Sequence, residues 1–170
     1  MQRDYDLELI ANAFLLGALE DQRDLVRRMA LPINDSTAIR IMIDEIAHEA
    51  DRNKALPSQI MALGLNYGMV LGIFIERERA ARKEHNFDVS GVTLAFTSGQ
   101  YAERAKLFRE FTRAFTDLPI MKRVLIAVGT EALHFRNSPQ QVIALTLRYG
   151  IVMGITLEKD RVARAKVLVQ

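Results

Sequence analysis

The sequence predicts an all-α protein of about eight helices, made of two copies of a four-helix unit around two long, glycine-rich central helices. Three observations predict this fold: a repeat along the whole chain, apolar residues at helical spacing in each copy, and two long apolar stretches with recurring glycines. The copies are residues 1–82 and 83–170, which we expect to pack as one compact domain. A two-fold dimer fused into one chain would retain a pseudo-two-fold axis.

The repeat keeps a constant offset of 82 residues without a gap. Its clearest block is LNYGMVLGI at residues 65–73, which returns as LRYGIVMGI at residues 147–155. About 23 of the 82 aligned pairs are identical. Chance can produce one similar block, but a register kept over the whole length indicates a tandem duplication.

Helical spacing of apolar residues predicts the individual elements. In the first copy they are residues 7–14, 20–30 and 36–53 and a long helix that starts at Pro57. In the second copy they are residues 87–99, residues 100–116, and helices that start at Asp117-Leu118-Pro119 and at Ser138-Pro139. The segment 87–99 is β-branched and alone favours a strand or loop, whereas the repeat favours a helix.

Two helix starts carry capping signals. Asp35 or Ser36 is a plausible N-cap for the helix over residues 36–53. Ser138, Pro139 at the first helical position and Gln141 three residues after the serine predict a capping box.

The two central stretches raise the question of a membrane span, which needs roughly 20 predominantly apolar residues. The second stretch has Arg148 in its middle, where a charge facing lipid is costly. Helices that are apolar all round also occur at the centre of soluble bundles. We therefore expect buried helices and no membrane span.

Cysteine is absent, which excludes disulfides, cysteine-ligated metals and thiol catalysis. Its absence fits a reducing, cytoplasmic location. The N-terminal residues mix charges with apolar side chains and lack the apolar core of a signal peptide.

Glycine costs about 1 kcal/mol relative to alanine inside a helix, so the glycines of the central helices need a reason. They form one ridge on each helix: Gly64, Gly68 and Gly72 on the first, and Gly150 and Gly154 on the second. Thr146 takes the place that corresponds to Gly64. One hypothesis is that the ridges face each other, because small residues let two backbones approach closely. The alternative is that each ridge receives a bulky side chain of its own copy, such as Phe14 or Phe96.

Five charged residues of the central helices are candidates for partner or ligand contacts. Glu76 and Arg79 recur as Glu158 and Arg161. Each pair either contacts a partner or forms an ordinary i,i+3 ion pair on a solvated helix end. Arg148 needs an acidic partner if it is buried. If it is exposed, it marks a contact surface.

Each half contains one Glu-x-x-His motif, Glu45 with His48 and Glu131 with His134. Two such motifs plus two further glutamates build the di-iron site of ferritin-like bundles. Here the motifs lie 86 residues apart, one helical turn out of the repeat register, and the helical wheel places His48 opposite the apolar face. We therefore assign no metal ligand, no cofactor and no catalytic residue. The sequence also lacks a phosphate-binding glycine loop and a nucleophile elbow.

The two copies differ in charge, although the whole chain has a formal net charge of only +2. Residues 1–82 contain 10 basic and 13 acidic residues, and residues 83–170 contain 13 and 8. A basic second half fits an acidic partner, including another copy's first half, or phosphates. A homo-oligomer therefore stays an open prediction.

Three functions fit these observations. The first is a non-enzymatic helical interaction protein, which acts as an adaptor, inhibitor or regulator through contacts with a protein partner. The second is a nucleic-acid-associated accessory protein that uses the basic second repeat, with salt-sensitive binding. The third is a helical enzyme or small-ligand binder with a pocket between the repeats.

Overall fold

The structure, a computed structural model, describes residues 5–17, 37–82, 89–134 and 136–170. Every regular element in these residues is an α-helix, which confirms the predicted all-α class. The helices are α1 (Leu7–Leu15), α2 (Thr37–Arg52), α3 (Pro57–Arg82), α4 (Val89–Thr97), α5 (Arg104–Asp117), α6 (Pro119–His134) and α7 (Pro139–Val169). The further helix predicted at residues 20–30 lies outside the described residues. The β-branched segment 87–99 is helical over α4, because its apolar side chains pack in the core.

Side chains cap several of the helix starts. The capping box of α7 is confirmed: Ser138 Oγ accepts from the Gln141 backbone N–H at 3.4 Å, and Gln141 Oε1 accepts from the Ser138 N–H at 2.7 Å. At α1, Asp6 Oδ1 accepts from the Leu9 N–H at 3.0 Å. These bonds satisfy backbone donors that have no partner within the helix. The N-cap predicted at Asp35 or Ser36 lies outside the described residues.

Corresponding helices of the two halves start 82 residues apart. The helix pairs that do so at their first residue are α1 with α4, α2 with α6, and α3 with α7. Gly17 and Gly99 end α1 and α4 with φ angles of +73° and +74°. Lys54 and Arg136 follow α2 and α6 with φ angles of +48° and +49°. Left-handed backbone is uncommon outside glycine, so its recurrence at Lys54 and Arg136 reflects the same turn in both halves.

The long helices α3 and α7 form the centre of the protein and run parallel. Gly68 lies beside Gly150, and Gly72, one turn further along α3, lies beside Gly154, one turn further along α7. The shorter helices pack around this pair across the halves. Helix α1 packs against α6 and α7, and α4 packs against α2 and α3. Each half therefore completes the core of the other.

Both α3 and α7 are long and apolar enough by themselves to cross a membrane. More than half of each apolar stretch is buried inside the protein. Length and composition do not separate a core helix of a soluble bundle from a membrane span, because both are apolar all round.

Candidate interaction site

The two glycine ridges lie against each other. A methyl group at Gly68 would lie 2.8 Å from Gly150 Cα and 2.9 Å from the Ile151 backbone nitrogen. A methyl group at Gly72 would lie 3.0 Å from Gly154 Cα. Thr146 Oγ1, the side chain opposite Gly64, donates to the Ile143 carbonyl at 2.9 Å. The atoms next to each ridge thus belong to the opposite long helix. The two ridges face each other, and they do not receive a bulky side chain such as Phe14 or Phe96.

The carboxylate of Glu158 is buried near the C-terminal end of α7, with a relative exposure of 2%. It accepts from Arg161 Nε at 3.0 Å, from the Tyr5 hydroxyl at 2.9 Å and from Arg77 Nε at 3.3 Å. Arg77 also donates to Tyr5 Oη at 2.7 Å and to Glu103 at 2.8 Å. This network joins the N-terminal segment, both long helices and the start of α5.

Glu76, the counterpart of Glu158, is also buried, with a relative exposure of 5%. It accepts from Arg79 Nε at 2.8 Å. The i,i+3 ion pairs expected from the sequence are therefore present in both halves, but their carboxylates are buried rather than solvated. The side chains that contact Glu158 include Tyr5 and Arg77 from distant parts of the chain, which no single-helix pattern reveals.

The buried network determines the acidity of its members. Burial alone would raise the pKa of Glu158, but hydrogen bonds from Arg161 and Tyr5 and the charge of Arg77 outweigh it and hold the pKa below its ordinary value. Burial and the hydrogen bond to Glu158 raise the pKa of Tyr5 to about 12. Burial and the nearby carboxylate of Glu49 raise the pKa of Tyr67 to about 12.

Tyr5 and Tyr67 should therefore ionise late in an alkaline titration followed by phenolate absorbance. The protonated hydroxyls of Tyr5 and Tyr67 contribute their full stabilisation of the fold below pH 10. This contribution is lost as the pH rises through the folded pKa of about 12. Tyr5→Phe should remove one late-titrating group and leave the Tyr67 step in place. Ionisation of Tyr5 at its ordinary pKa of 10 would contradict the burial of its hydroxyl.

Arg148 is exposed rather than buried, and its role in a contact surface stays a prediction. With Arg40 it lines an open cavity of about 280 Å³ whose remaining walls are apolar side chains of α2 and α7. Arg148 lies away from Glu158 and Glu76 along the long helices, so the five charged candidates do not form one site.

A larger groove of about 550 Å³ opens at the N-terminal ends of the long helices. Pro57 and Met61 of α3 form one wall, Ile126, Gly129 and Leu133 of α6 form another, and Pro139 of α7 lies between them. Its surface is almost entirely apolar. Residues from both halves of the chain line it.

The rim of this groove exposes large aliphatic side chains. Ile126 is 68% exposed and Leu133 is 81% exposed. The residues 82 positions earlier, Asp44 and Asp51 on α2, are also exposed but acidic. Corresponding positions are thus acidic on α2 and aliphatic on α6. Packing within the chain does not explain the aliphatic side chains, because they are exposed.

The Glu-x-x-His motifs do not build a metal centre in the part of the chain that the structure describes. His48 is exposed, as its position on the helical wheel predicts, and its Nδ1 lies 2.6 Å from the Asp44 carbonyl oxygen. Glu131 is bonded by the Tyr149 hydroxyl. Across the described ranges, no three His, Asp or Glu side chains gather in a way that would hold a metal ion.

The groove was not predicted from the sequence, although one signal for it was present. Aligning the copies sets exposed Ile126 against Asp44 and Leu133 against Asp51. An exchange of acid for aliphatic on the same helix face is unexpected for a solvated surface. Without the fold, neither the exposure of these positions nor their nearness to Met61 is visible.

Comparison of the chain with protein-family models, with curated proteins and with solved structures finds no match. Its function is therefore argued from the geometry alone.

Proposed function

We propose that the chain is a fused dimer of two four-helix repeats, residues 1–82 and 83–170, related by a pseudo-two-fold axis between α3 and α7. Equal helix starts and equal left-handed turns at the 82-residue offset support this proposal. So do equivalent hydrogen bonds: the Tyr67 hydroxyl donates to Glu49, and the Tyr149 hydroxyl donates to Glu131. The crossed packing of α1 and α4 favours one intertwined domain over two separate units.

The proposed function of this domain is a non-enzymatic one: it binds a protein partner, as an adaptor, inhibitor or regulator. The observation that carries the proposal is the apolar groove with Ile126 and Leu133 exposed on its rim. Exposed apolar surface beside a groove is typical of protein-interaction sites, because partner binding removes it from water. The glycine ridges and the two buried carboxylates hold the scaffold together and leave the groove as the contact surface.

We propose a cytoplasmic location, and the parallel direction of α3 and α7 supports it. Two parallel spans need a third crossing between them to return the chain to the starting side of the membrane. The described helices between them contain 9, 14 and 16 residues, whereas a span needs roughly 20. The absence of cysteine also fits a reducing compartment.

Affinity capture with matched variants tests the interaction proposal. Leu133→Glu and Ile126→Glu should each reduce recovery of the specific partner by about tenfold or more, because each puts a charge where apolar contact is needed. The matched control is Leu94→Glu, since Leu94 is an exposed leucine of α4 outside the groove. This control should retain the partner.

The proposal fails if both groove variants recover the same proteins as the wild type. It also fails if Leu94→Glu loses them equally. Circular dichroism of each variant establishes that it is folded before capture is compared.

A further inference from the structure

The outer face of α6 provides the shape of a binding groove. Lys122, Ile126, Gly129 and Leu133 follow one another at about one helical turn and form a single stripe. Gly129 leaves a notch between the two aliphatic side chains. The floor beneath it is Met61, whose Cε would lie 3.3 Å from a methyl group at Gly129. Methionine adapts its shape to different apolar partners, which suits a floor residue.

This shape fits an amphipathic helix. The stripe from Ile126 to Leu133 spans two turns, roughly 10 Å, which matches apolar anchors at i, i+3, i+4 and i+7 of a bound helix. The adjoining walls are free of charge: α3 has none from Pro57 to Ile75, and α7 has none from Pro139 to Leu147. Both long helices also direct their N-terminal, positive ends toward the groove.

The charges at the ends of the stripe are basic. Lys122 and Arg123 lie at one end and Arg136 lies at the other, between the lining residues Leu133 and Asn137. All three are exposed, and none forms an ion pair with the described residues. The carboxylate on this helix, Glu131, is half-buried and already accepts the Tyr149 hydroxyl. The rim is therefore electropositive.

From this combination we infer that the groove binds an amphipathic helix of a protein partner whose apolar stripe is flanked by acidic residues. The inference rests on the proposed interaction function and adds the chemistry of the partner. Basic rim charges attract an acidic helix and repel a basic one, and this difference weakens as salt screens it.

Three labelled helical peptides of about 18 residues test the inference by fluorescence anisotropy with the full chain. The first has Leu at i, i+3, i+4 and i+7 with glutamates at both ends, the second has the same leucines with lysines at both ends, and the third has the glutamates with scrambled leucines. We expect the first to bind about tenfold more tightly than the second at low salt, and the third not to bind. The preference should fall toward unity at about 0.5 M salt.

The outcomes separate the two proposals. If neither leucine-striped peptide binds, the groove does not receive a helix and the inference fails, whereas the interaction proposal is decided by the capture of the partner with the Ile126→Glu and Leu133→Glu variants. If both bind equally, or the lysine peptide binds more tightly, the groove receives a helix but the acidic partner is wrong. If light scattering shows a dimer of the chain that Leu133→Glu dissociates, a second copy fills the groove and the inference is overturned.

Charge reversal identifies the residues responsible. The double variant Lys122→Glu and Arg123→Glu should invert the preference toward the lysine peptide. The double variant Lys159→Glu and Lys166→Glu is the matched control, because both are exposed lysines of α7 at roughly 30 Å or more from Pro139. An equal effect of this control would show that net charge, rather than the groove rim, selects the peptide.

Discussion

Gly68→Ala should destabilise the protein by about 3 kcal/mol or more, and its thermal midpoint should fall by about 10 °C. The added methyl group would lie 2.8 Å from Gly150 Cα and 2.9 Å from the Ile151 nitrogen. Both atoms are backbone, so relief requires the two long helices to move apart, which opens gaps along the whole central contact. Gly150→Ala should have a similar effect, because its methyl group would lie 2.8 Å from Gly68 Cα. Thermal and urea unfolding followed by circular dichroism measure both effects.

The matched control for this prediction is Gly129→Ala. Its methyl group would meet the end of the Met61 side chain at 3.3 Å, and that side chain can rotate away. Alanine also favours the helix by up to about 1 kcal/mol over glycine. We expect the stability of Gly129→Ala to stay within about 1 kcal/mol of the wild type. If Gly68→Ala unfolds at the same urea concentration as this control, the close approach of α3 and α7 is wrong.

Glu158→Ala should be the second most damaging substitution, with a loss of about 3 kcal/mol. It removes the carboxylate shared by Arg161, Arg77 and Tyr5, and leaves their polar groups partly buried without an acceptor. This estimate is at the low end for a buried pair, because Arg77 and Arg161 remain 30% and 36% exposed. Glu76→Ala provides the comparison and should cost about 1 to 2 kcal/mol, since Arg79 then turns into water. Equal losses of stability for the two variants would contradict the prediction that the network around Glu158 contributes more than the Glu76–Arg79 pair.

Acid unfolding gives an independent measure of the same network. The pKa of Glu158 is below its ordinary value of 4.5 in the folded protein. Its charge therefore stabilises the fold above that pH, and the contribution is lost as the pH falls through the folded pKa. The stability difference between the wild type and Glu158→Gln should accordingly shrink below about pH 4.5. A difference that stays constant to low pH would show that Glu158 is not charged in the folded protein.

The two halves use the same scaffold differently, and this bears on the proposed function. Among the described residues, each half has an ion pair with a buried glutamate, and Glu158 of the second half also binds Tyr5 and an arginine of the other long helix. On the outer faces of α6 and α2, Ile126 and Leu133 take the places of Asp44 and Asp51. The second difference occurs at exposed positions, where a change of side chain leaves the core intact and can create a binding surface.

The sequence by itself determined the all-α class and the starts of most described helices. These features follow from local physics: apolar periodicity, and capping by Ser138 and Gln141. Alignment of the two halves predicted that α4 is a helix, because it aligns with α1, although the composition of α4 alone favoured a strand.

Only the tertiary structure decided what the helices bury and what they expose. The glycines allowed two packings, and the approach of Gly68 to Gly150 shows which one the fold adopts. The carboxylate of Glu158 was expected to be solvated, yet it is buried. Tyr5 and Arg77, which contact it, come from distant parts of the chain. Ile126 and Leu133 are apolar but exposed, and they line the rim of an open groove. Burial depends on which faces of different helices meet, and a pattern along one helix does not contain that information.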